Sequence, residues 1–296
     1  MKILITGANG MLAKEIKEKF EKENELILTD VADLDITDEK AVMEFVKKTK
    51  PEYIINCAAY TAVDKAETAG EIVERINADG PGNLAKAAKE NDSTLVHIST
   101  DYVFGGDLDI EQDYKEDDPK APVTAYGITK LHGEEQIQEN TDKYYIFRTA
   151  WLYGIGGNNF VKTMLKLGED KDKLNVVSDQ HGSPTYAKDL SEIVYQAVNR
   201  KIPYGIYNST NEGYTTWYDF TKTIFDYTGI NCEVNPVTTE EYIEMMQITQ
   251  AKRPKNSQMS KEKLKAQGIN VPDWKDGLKR YLKEEGKWYL WKTEKE

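Results

Sequence analysis

Apolar residues fall in short runs, separated by longer stretches in which they return every three or four positions. Lys2-Ile3-Leu4-Ile5-Thr6 reads as a strand, and Met11 to Phe20 as a helix with Leu12, Ile16 and Phe20 on one face. Glu25 to Thr29 predicts a second strand. Asp38 is placed to cap a helix running to about Lys48, which turns Val42, Phe45 and Val46 inward. Tyr53 to Cys57 predicts a third strand, followed by a helical stretch near Val73 to Glu90. Thr94 to Ser99 predicts a fourth strand and Tyr144 to Phe147 a fifth. Strands that are apolar on both faces, with helices between them, belong in a parallel sheet covered on both sides. In that doubly wound α/β plan, ligands sit beyond the carboxyl ends of the strands. After about residue 150 the alternation becomes irregular, Gly, Asn and Pro punctuate 154–159 and 182–184, and the C-terminal third reads mostly as amphipathic helices.

Composition narrows the class. The 296 residues suffice for a sizeable core, and 18 Tyr, 7 Phe and 5 Trp are too many aromatics for a disordered chain. A formal net charge of −12 argues against a nucleic-acid or anionic-membrane binder, but leaves room for a small anion in a locally positive pocket. Two cysteines, Cys57 and Cys232, predict no disulfide framework and fit a reducing compartment. His97, His132 and His181 stand too far apart for zinc spacing, so no metal is expected. The N-terminus carries no apolar run of secretory length, and no stretch reaches transmembrane length. The expectation is a cytoplasmic globular protein.

Three local patterns carry chemistry. Gly7-Ala8-Asn9-Gly10-Met11-Leu12-Ala13 joins the first strand to the first helix, where glycine permits a tight turn and the helix N-terminus favours a diphosphate. Asp30, ending the second strand twenty residues after Gly10, is placed to accept hydrogen bonds from an adenosine ribose. Tyr126 and Lys130 are four apart on a predicted helix, so the ammonium is expected near the phenol, lowering its pKa for acid–base work. Chance alone gives roughly two such pairs in a chain this rich in Tyr and Lys, and there are two, the other being Tyr218 with Lys222. Context separates them. Tyr126 follows the loop leaving the fourth strand, at the ligand edge, whereas Tyr218 lies in the second half and reads as structural. Ser99-Thr100-Asp101-Tyr102 leaves that same edge, with Thr100 able to donate to a substrate oxygen and Asp101 able to bind a hydroxyl.

These residues resemble the extended short-chain dehydrogenase/reductase superfamily and, within it, the family of dTDP-4-dehydrorhamnose reductases. The more specific stretches are Asn56 to Glu67, Ser99 to Phe104, Arg148 to Gly154, Asp179 to Thr185, Thr215-Thr216-Trp217 and Arg253 to Ser257. Departures are Ala13 where many relatives have glycine, Cys57 where alanine is common, and Tyr60 where histidine is familiar. The resemblance implies a Rossmann-type NAD(P)-binding domain from 1–150 with about 174–208. A smaller, mostly helical substrate-binding domain would comprise about 151–173 with 209–296. It implies hydride reduction of a 4-keto nucleotide sugar, with Tyr126 as proton donor, Lys130 on the nicotinamide ribose and Thr100 orienting the keto oxygen. Gly10, Met11 and Leu12 would approach the diphosphate, and Asp35 and Ile36 would flank the adenine. Ala59, Tyr60 and Thr61 would line the path to the nicotinamide. Asp101 and Trp151 would face the sugar or its nucleotide, and Arg253 would pair with the substrate diphosphate.

Asp30 further predicts NADH over NADPH, since a fixed carboxylate repels a 2′-phosphate and Val31-Ala32-Asp33 bring no compensating cation. Two other classes share the superfamily residues: 4,6-dehydratases or 4-epimerases of nucleotide sugars, and non-catalytic regulatory subunits of methionine adenosyltransferase. Retention of Thr100, Tyr126 and Lys130 favours chemistry. A homodimer is compatible with the resemblance.

Overall fold

The computed structural model describes residues 1–288. Strands β1 (Lys2–Thr6), β2 (Glu25–Thr29), β3 (Tyr53–Asn56), β4 (Thr94–Thr100) and β5 (Tyr144–Thr149) alternate with helices. These are α1 (Met11–Phe20), α2 (Glu39–Thr49), α3 (Val63–Ala69), α4 (Glu71–Glu74), α5 (Gly80–Glu90) and α6 (Ala125–Asn140). Next come β6 (Leu152–Tyr153), α7 (Phe160–Asp170), β7 (Lys173–Val177), β8 (His181–Gly182), β9 (Thr185–Tyr186), α8 (Ala187–Arg200) and β10 (Gly205–Asn208). The described chain closes with β11 (Thr215–Thr216), α9 (Trp217–Thr228), β12 (Glu233–Val237), α10 (Thr239–Met246), α11 (Glu262–Ala266) and α12 (Trp274–Glu284). Among the described residues no helix is long and apolar enough to cross a membrane.

Six parallel strands form the central sheet in the order β10-β5-β4-β3-β1-β2. The two-residue period of a strand divides its side chains between the faces. Ile3 and Ile5 of β1 join α1 and α8 through Ile16, Phe20, Leu190 and Val194. Leu4 joins α2, α5 and α6 through Val42, Val46, Leu84 and Ile137 on the other face. Strand order reverses between β1 and β3, and the crevice at their carboxyl ends is where a doubly wound sheet binds ligands.

Several local readings are refined. Asp38 caps α2 by accepting from the Ala41 N–H. The stretch expected near Val73 to Glu90 is divided among α4, a π-helical turn at Arg75–Asp79 and α5. Helix α3, which the pattern did not suggest, ends at Gly70 with φ +62°. The sixth strand, β10, was also unread: it is four residues long, begins at Gly205 and follows Pro203, all of which mimic a turn.

A second apolar cluster joins α7, α9 and α12 through Val161, Leu165, Phe220, Ile224, Leu278 and Leu282. Leu174 and Val176 of β7 belong to this cluster, because β7 pairs with β12 rather than with the main sheet. Leu264, Ile269 and Val271 instead pack onto the sheet. Both features depart from the bounds expected for the two units, and residues 289–296 of the second lie outside the described residues.

One ion pair locks α6 to β5. Arg148 is fully buried and donates to both Glu134 oxygens, Nε to Oε1 at 2.9 Å and Nη2 to Oε2 at 2.6 Å. Its Nη1 donates to the Glu116 carbonyl at 2.9 Å, and the Ser99 hydroxyl donates to Glu134 at 2.5 Å. Removing one partner would strand a buried charge. Arg148→Met is therefore expected to destabilise the protein by about 3–5 kcal/mol, read from the urea midpoint at constant m. An unshifted midpoint would show that the pair does not hold α6 in place.

Candidate active site

Sequence placed a Gly-rich turn after β1, and geometry shows why the first glycine is required. Gly7 has φ +64°, and a Cβ there would stand 2.7 Å from the Ala58 nitrogen. The turn thus packs directly on the chain leaving β3. Gly10 caps α1 without a side-chain acceptor, and the first turn of α1 holds no acidic residue. Asp30 braces the loop from β2, accepting from the Asn9 N–H at 3.0 Å and the Val31 N–H at 2.8 Å.

Across the carboxyl ends runs a line of buried polar groups. The Thr6 hydroxyl donates to Asn56 Oδ1 at 2.7 Å, and Asn56 Nδ2 meets His97 Nδ1 at 3.0 Å. His97 Nε2 lies 3.0 Å from Lys130 Nζ, which also donates to the Ile98 carbonyl at 2.6 Å. Thr124 caps α6 by accepting from the Gly127 N–H, so Tyr126 and Lys130 occupy the first turns beside β4. Gly127 is confined by the Tyr102 carbonyl, 2.3 Å from where a Cβ would be.

Lys130 does not lower the Tyr126 pKa as the helical spacing predicts. Lys130 turns its nitrogen to His97 and Ile98, and burial pushes the Tyr126 phenol well above its usual value, with the Thr100 hydrogen bond partly opposing. Burial also pushes Lys130 down to about 8 and Cys57 up to about 12. Asp101 lines the same cavity as Tyr126 and Lys130, with its oxygens already engaged. Its carboxylate accepts from Ser257 at 2.5 Å and from Thr100 at 2.9 Å, and burial, opposed by those bonds, raises it to about 6.

A cavity of about 500 Å³ gathers Gly10, Met11, Leu12, Ala59, Thr61, Thr100, Asp101, Tyr126, Lys130 and Trp151 on its walls. Tyr60 is fixed through its backbone, which exchanges hydrogen bonds with the Asn77 amide. Gly7 and Asn9 shape the turn beneath, while Asp30, Asp35 and Ile36 lie off this cavity, at and beyond the end of β2. Ile36 is buried against Gly80, and Asp35 is exposed.

A second cavity, of about 360 Å³, shares Tyr102 and Trp151 with the first. Trp151 stacks on Trp217 with centroids 3.6 Å apart and planes 14° from parallel, and its φ of +49° is unusual for a residue other than glycine. Gly182 lies under that ring, where a Cβ would stand 2.8 Å from Trp151. Arg253 lines the second cavity but is already engaged. Its Nη2 donates to both Asp64 oxygens at 2.7 and 2.8 Å, and its Nη1 donates to the Tyr102 hydroxyl at 2.9 Å. Tyr102 in turn meets Tyr126 edge-on at 5.5 Å. Tyr218 lies against the second apolar cluster with Lys222 over its ring, and lines neither cavity.

Sequence reasoning singled out neither Tyr102 nor His97, and took Trp217 and Ser257 only as parts of longer matching stretches. A histidine inside the otherwise apolar Leu95-Val96-His97-Ile98 was the one signal available. The roles of the others depend on contacts made across more than 60 residues.

Comparison with known proteins places the chain in a family. The RmlD substrate binding domain family matches residues 1–286. A dTDP-4-dehydrorhamnose reductase from Salmonella typhimurium is 39% identical, over 96% of this chain and 98% of its own. A solved dTDP-4-dehydrorhamnose reductase from Clostridium acetobutylicum has a TM-score of 0.92 and 46% identity, covering 97% of this chain and all of its own. Another from Bacillus anthracis, a complex with NADP, has a TM-score of 0.90 and 41% identity over 96% of this chain and 99% of its own.

The tight seat of Trp151 yields a test. Gly182→Ala forces the indole off Gly182 and disturbs its stack on Trp217. Tryptophan fluorescence should change, and the KM for a ligand held in the second cavity should rise about tenfold while the fold persists. Unchanged fluorescence and KM would mean that Trp151 does not shape that cavity.

Proposed function

We propose a mechanism from the premise that this chain belongs to the RmlD substrate binding domain family. It is a nicotinamide-dependent oxidoreductase that reduces dTDP-4-dehydro-L-rhamnose to dTDP-L-rhamnose in nucleotide-sugar biosynthesis. The observation that carries its active-site reading is the convergence of Thr100, Tyr126 and Lys130 with the uncapped start of α1 on one cavity. The sheet unit would hold the dinucleotide, and the α7–α9–α12 unit would hold the sugar nucleotide. The two free cysteines accord with a cytoplasmic site of action.

The residues present fit a dinucleotide. The first-turn N–H groups of α1 have no side-chain acceptor, which suits a diphosphate. Gly154 leaves room beside Met11, where a Cβ would stand 3.2 Å from the Met11 side chain. Among the described residues, the buried Thr149 hydroxyl on the same cavity wall has no partner. When bound, the reduced dinucleotide supplies a hydride to the C4 carbonyl.

The remaining work falls to the chain. Tyr126, kept as a neutral phenol by burial, holds the proton that the new C4 alkoxide needs. Thr100, on the same cavity wall as that phenol, orients the keto oxygen when its hydroxyl turns from Asp101. Lys130 contacts the nicotinamide ribose and, as an ammonium, stabilises the phenolate left after proton transfer. Trp151 and Tyr102 form the wall between the two cavities, against which the sugar lies. Arg253 meets the substrate diphosphate by exchanging part of its pairing with Asp64.

Tyr126→Phe should lower kcat by ~10²–10⁴ while leaving dinucleotide affinity almost unchanged. Tyr218→Phe, the matched control, should leave turnover within a small factor. Near-normal turnover by the first variant would remove Tyr126 as the proton donor, and loss of activity in the second would show that the other pair carries the chemistry.

Cofactor choice follows from Asp30. Its carboxylate accepts from two backbone N–H groups, which hold it toward a ribose 2′-phosphate. NADH should be preferred over NADPH by roughly tenfold to a hundredfold in kcat/KM, and Asp30→Ser should narrow that ratio. A parent that prefers NADPH, or an unchanged ratio in the variant, would show that Asp30 does not read the ribose.

A further inference from the structure

The buried line from Thr6 to Lys130 fixes its own proton positions. Asn56 Oδ1 accepts from the Ala58 backbone N–H at 3.0 Å as well as from Thr6. A backbone N–H can only donate, so this atom of the amide must be the oxygen. The amide nitrogen therefore faces His97, and His97 Nδ1, 3.0 Å away, must accept. A neutral imidazole that accepts at Nδ1 carries its proton on Nε2. That Nε2–H points at Lys130 Nζ, 3.0 Å away. An ammonium has no lone pair with which to receive it, whereas an amine has one.

We infer that Asn56 locks His97 in the Nε2–H tautomer and that His97 donates to the amine form of Lys130, acting as a positioning residue for the lysine. The amine then has one N–H for the Ile98 carbonyl, 2.6 Å away, and a second left for the cavity that Lys130 lines. A hydrogen bond made only to the uncharged form disfavours the charged one. His97 thus adds to burial in lowering the pH at which Lys130 gives up its proton, and the direction agrees with a lysine pushed down to about 8.

The other groups around the ammonium do not reverse this. Glu134, one turn further along α6, raises the lysine pKa but is itself neutralised by Arg148. Cys57, at the end of β3, is an un-ionised thiol at neutral pH because burial raises it to about 12. Tyr126 on α6 stays a phenol, and Asp101, beyond β4, gives its carboxylate to Ser257 and Thr100. His97 itself is held far below its usual range by burial and by Lys130, so it stays neutral.

The consequence for turnover rests on the reductase reading above, whereas the tautomer does not. Long-range proton–nitrogen spectra of the full chain labelled at histidine read the tautomer directly, without substrate. They should show His97 protonated on Nε2 and bare on Nδ1 throughout the neutral range. A proton on Nδ1, or an imidazolium, would overturn the inference.

Asn56→Asp supplies the reversal. A carboxylate can only accept, so the His97 proton should move to Nδ1 and its bare Nε2 should face, and favour, the ammonium. The alkaline limb of kcat/KM, where the Lys130 ammonium is lost, should then move up by about one pH unit or more. A tautomer that flips in a folded variant whose limb stays in place would overturn the link to Lys130. Should the variant fail to fold, the parent spectra still decide the assignment. A parent with the Nε2–H tautomer that turns over no keto sugar would count against the reductase reading and leave the assignment supported.

Discussion

Register across the sheet decides where this protein can do chemistry. Thr6 pairs with Asn56 across β1 and β3, and Asn56 pairs with His97 across β3 and β4. Their side chains fall on one face at the carboxyl ends, where His97 hands the line on to Lys130 of α6. Each is a polar group within an apolar core, and an unpaired member would cost about 1–3 kcal/mol. Slipping any strand by one residue would turn its member to the opposite face and break the line. The same contacts that specify the pairing thus also deliver the lysine.

Around that line two halves meet. The turn at Gly7 packs on the chain after β3, leaving the start of α1 open toward the larger cavity. The second apolar cluster brings Trp217 under Trp151, and the segment after α10 brings Arg253 to Asp64 at the start of α3. Tyr102 touches both sides, edge-on to Tyr126 and hydrogen-bonded to Arg253. The smaller cavity therefore shares Tyr102 with the tyrosine pair that lines the larger one.

The strands of the sheet were legible because each of the first five is an apolar run bounded by polar residues. Strand β10 was not, since Gly205 and the preceding Pro203 carry turn chemistry and only its pairing with β5 makes it a strand. At the site, Gly7, Gly10, Tyr126 and Lys130 were readable from local spacing. What spacing could not supply was the partner of each group. Lys130 faces His97 rather than the phenol, Asp101 faces Ser257, and Arg253 faces Asp64, and these pairings join positions 33 to 189 residues apart. The depressed tyrosine pKa expected from helical spacing failed for a related reason: burial of the ring, invisible in sequence, acts on the phenol while the lysine is turned aside.

The central claim is a net reduction, which consumes one reduced dinucleotide for each keto sugar converted. The most direct measurement follows nicotinamide absorbance while purified protein acts on dTDP-4-dehydro-L-rhamnose, with the sugar product identified afterwards. The account predicts loss of one reduced cofactor per dTDP-L-rhamnose formed. Conversion of the sugar nucleotide with no net loss of reduced cofactor, as an epimerase or dehydratase would give, would contradict it.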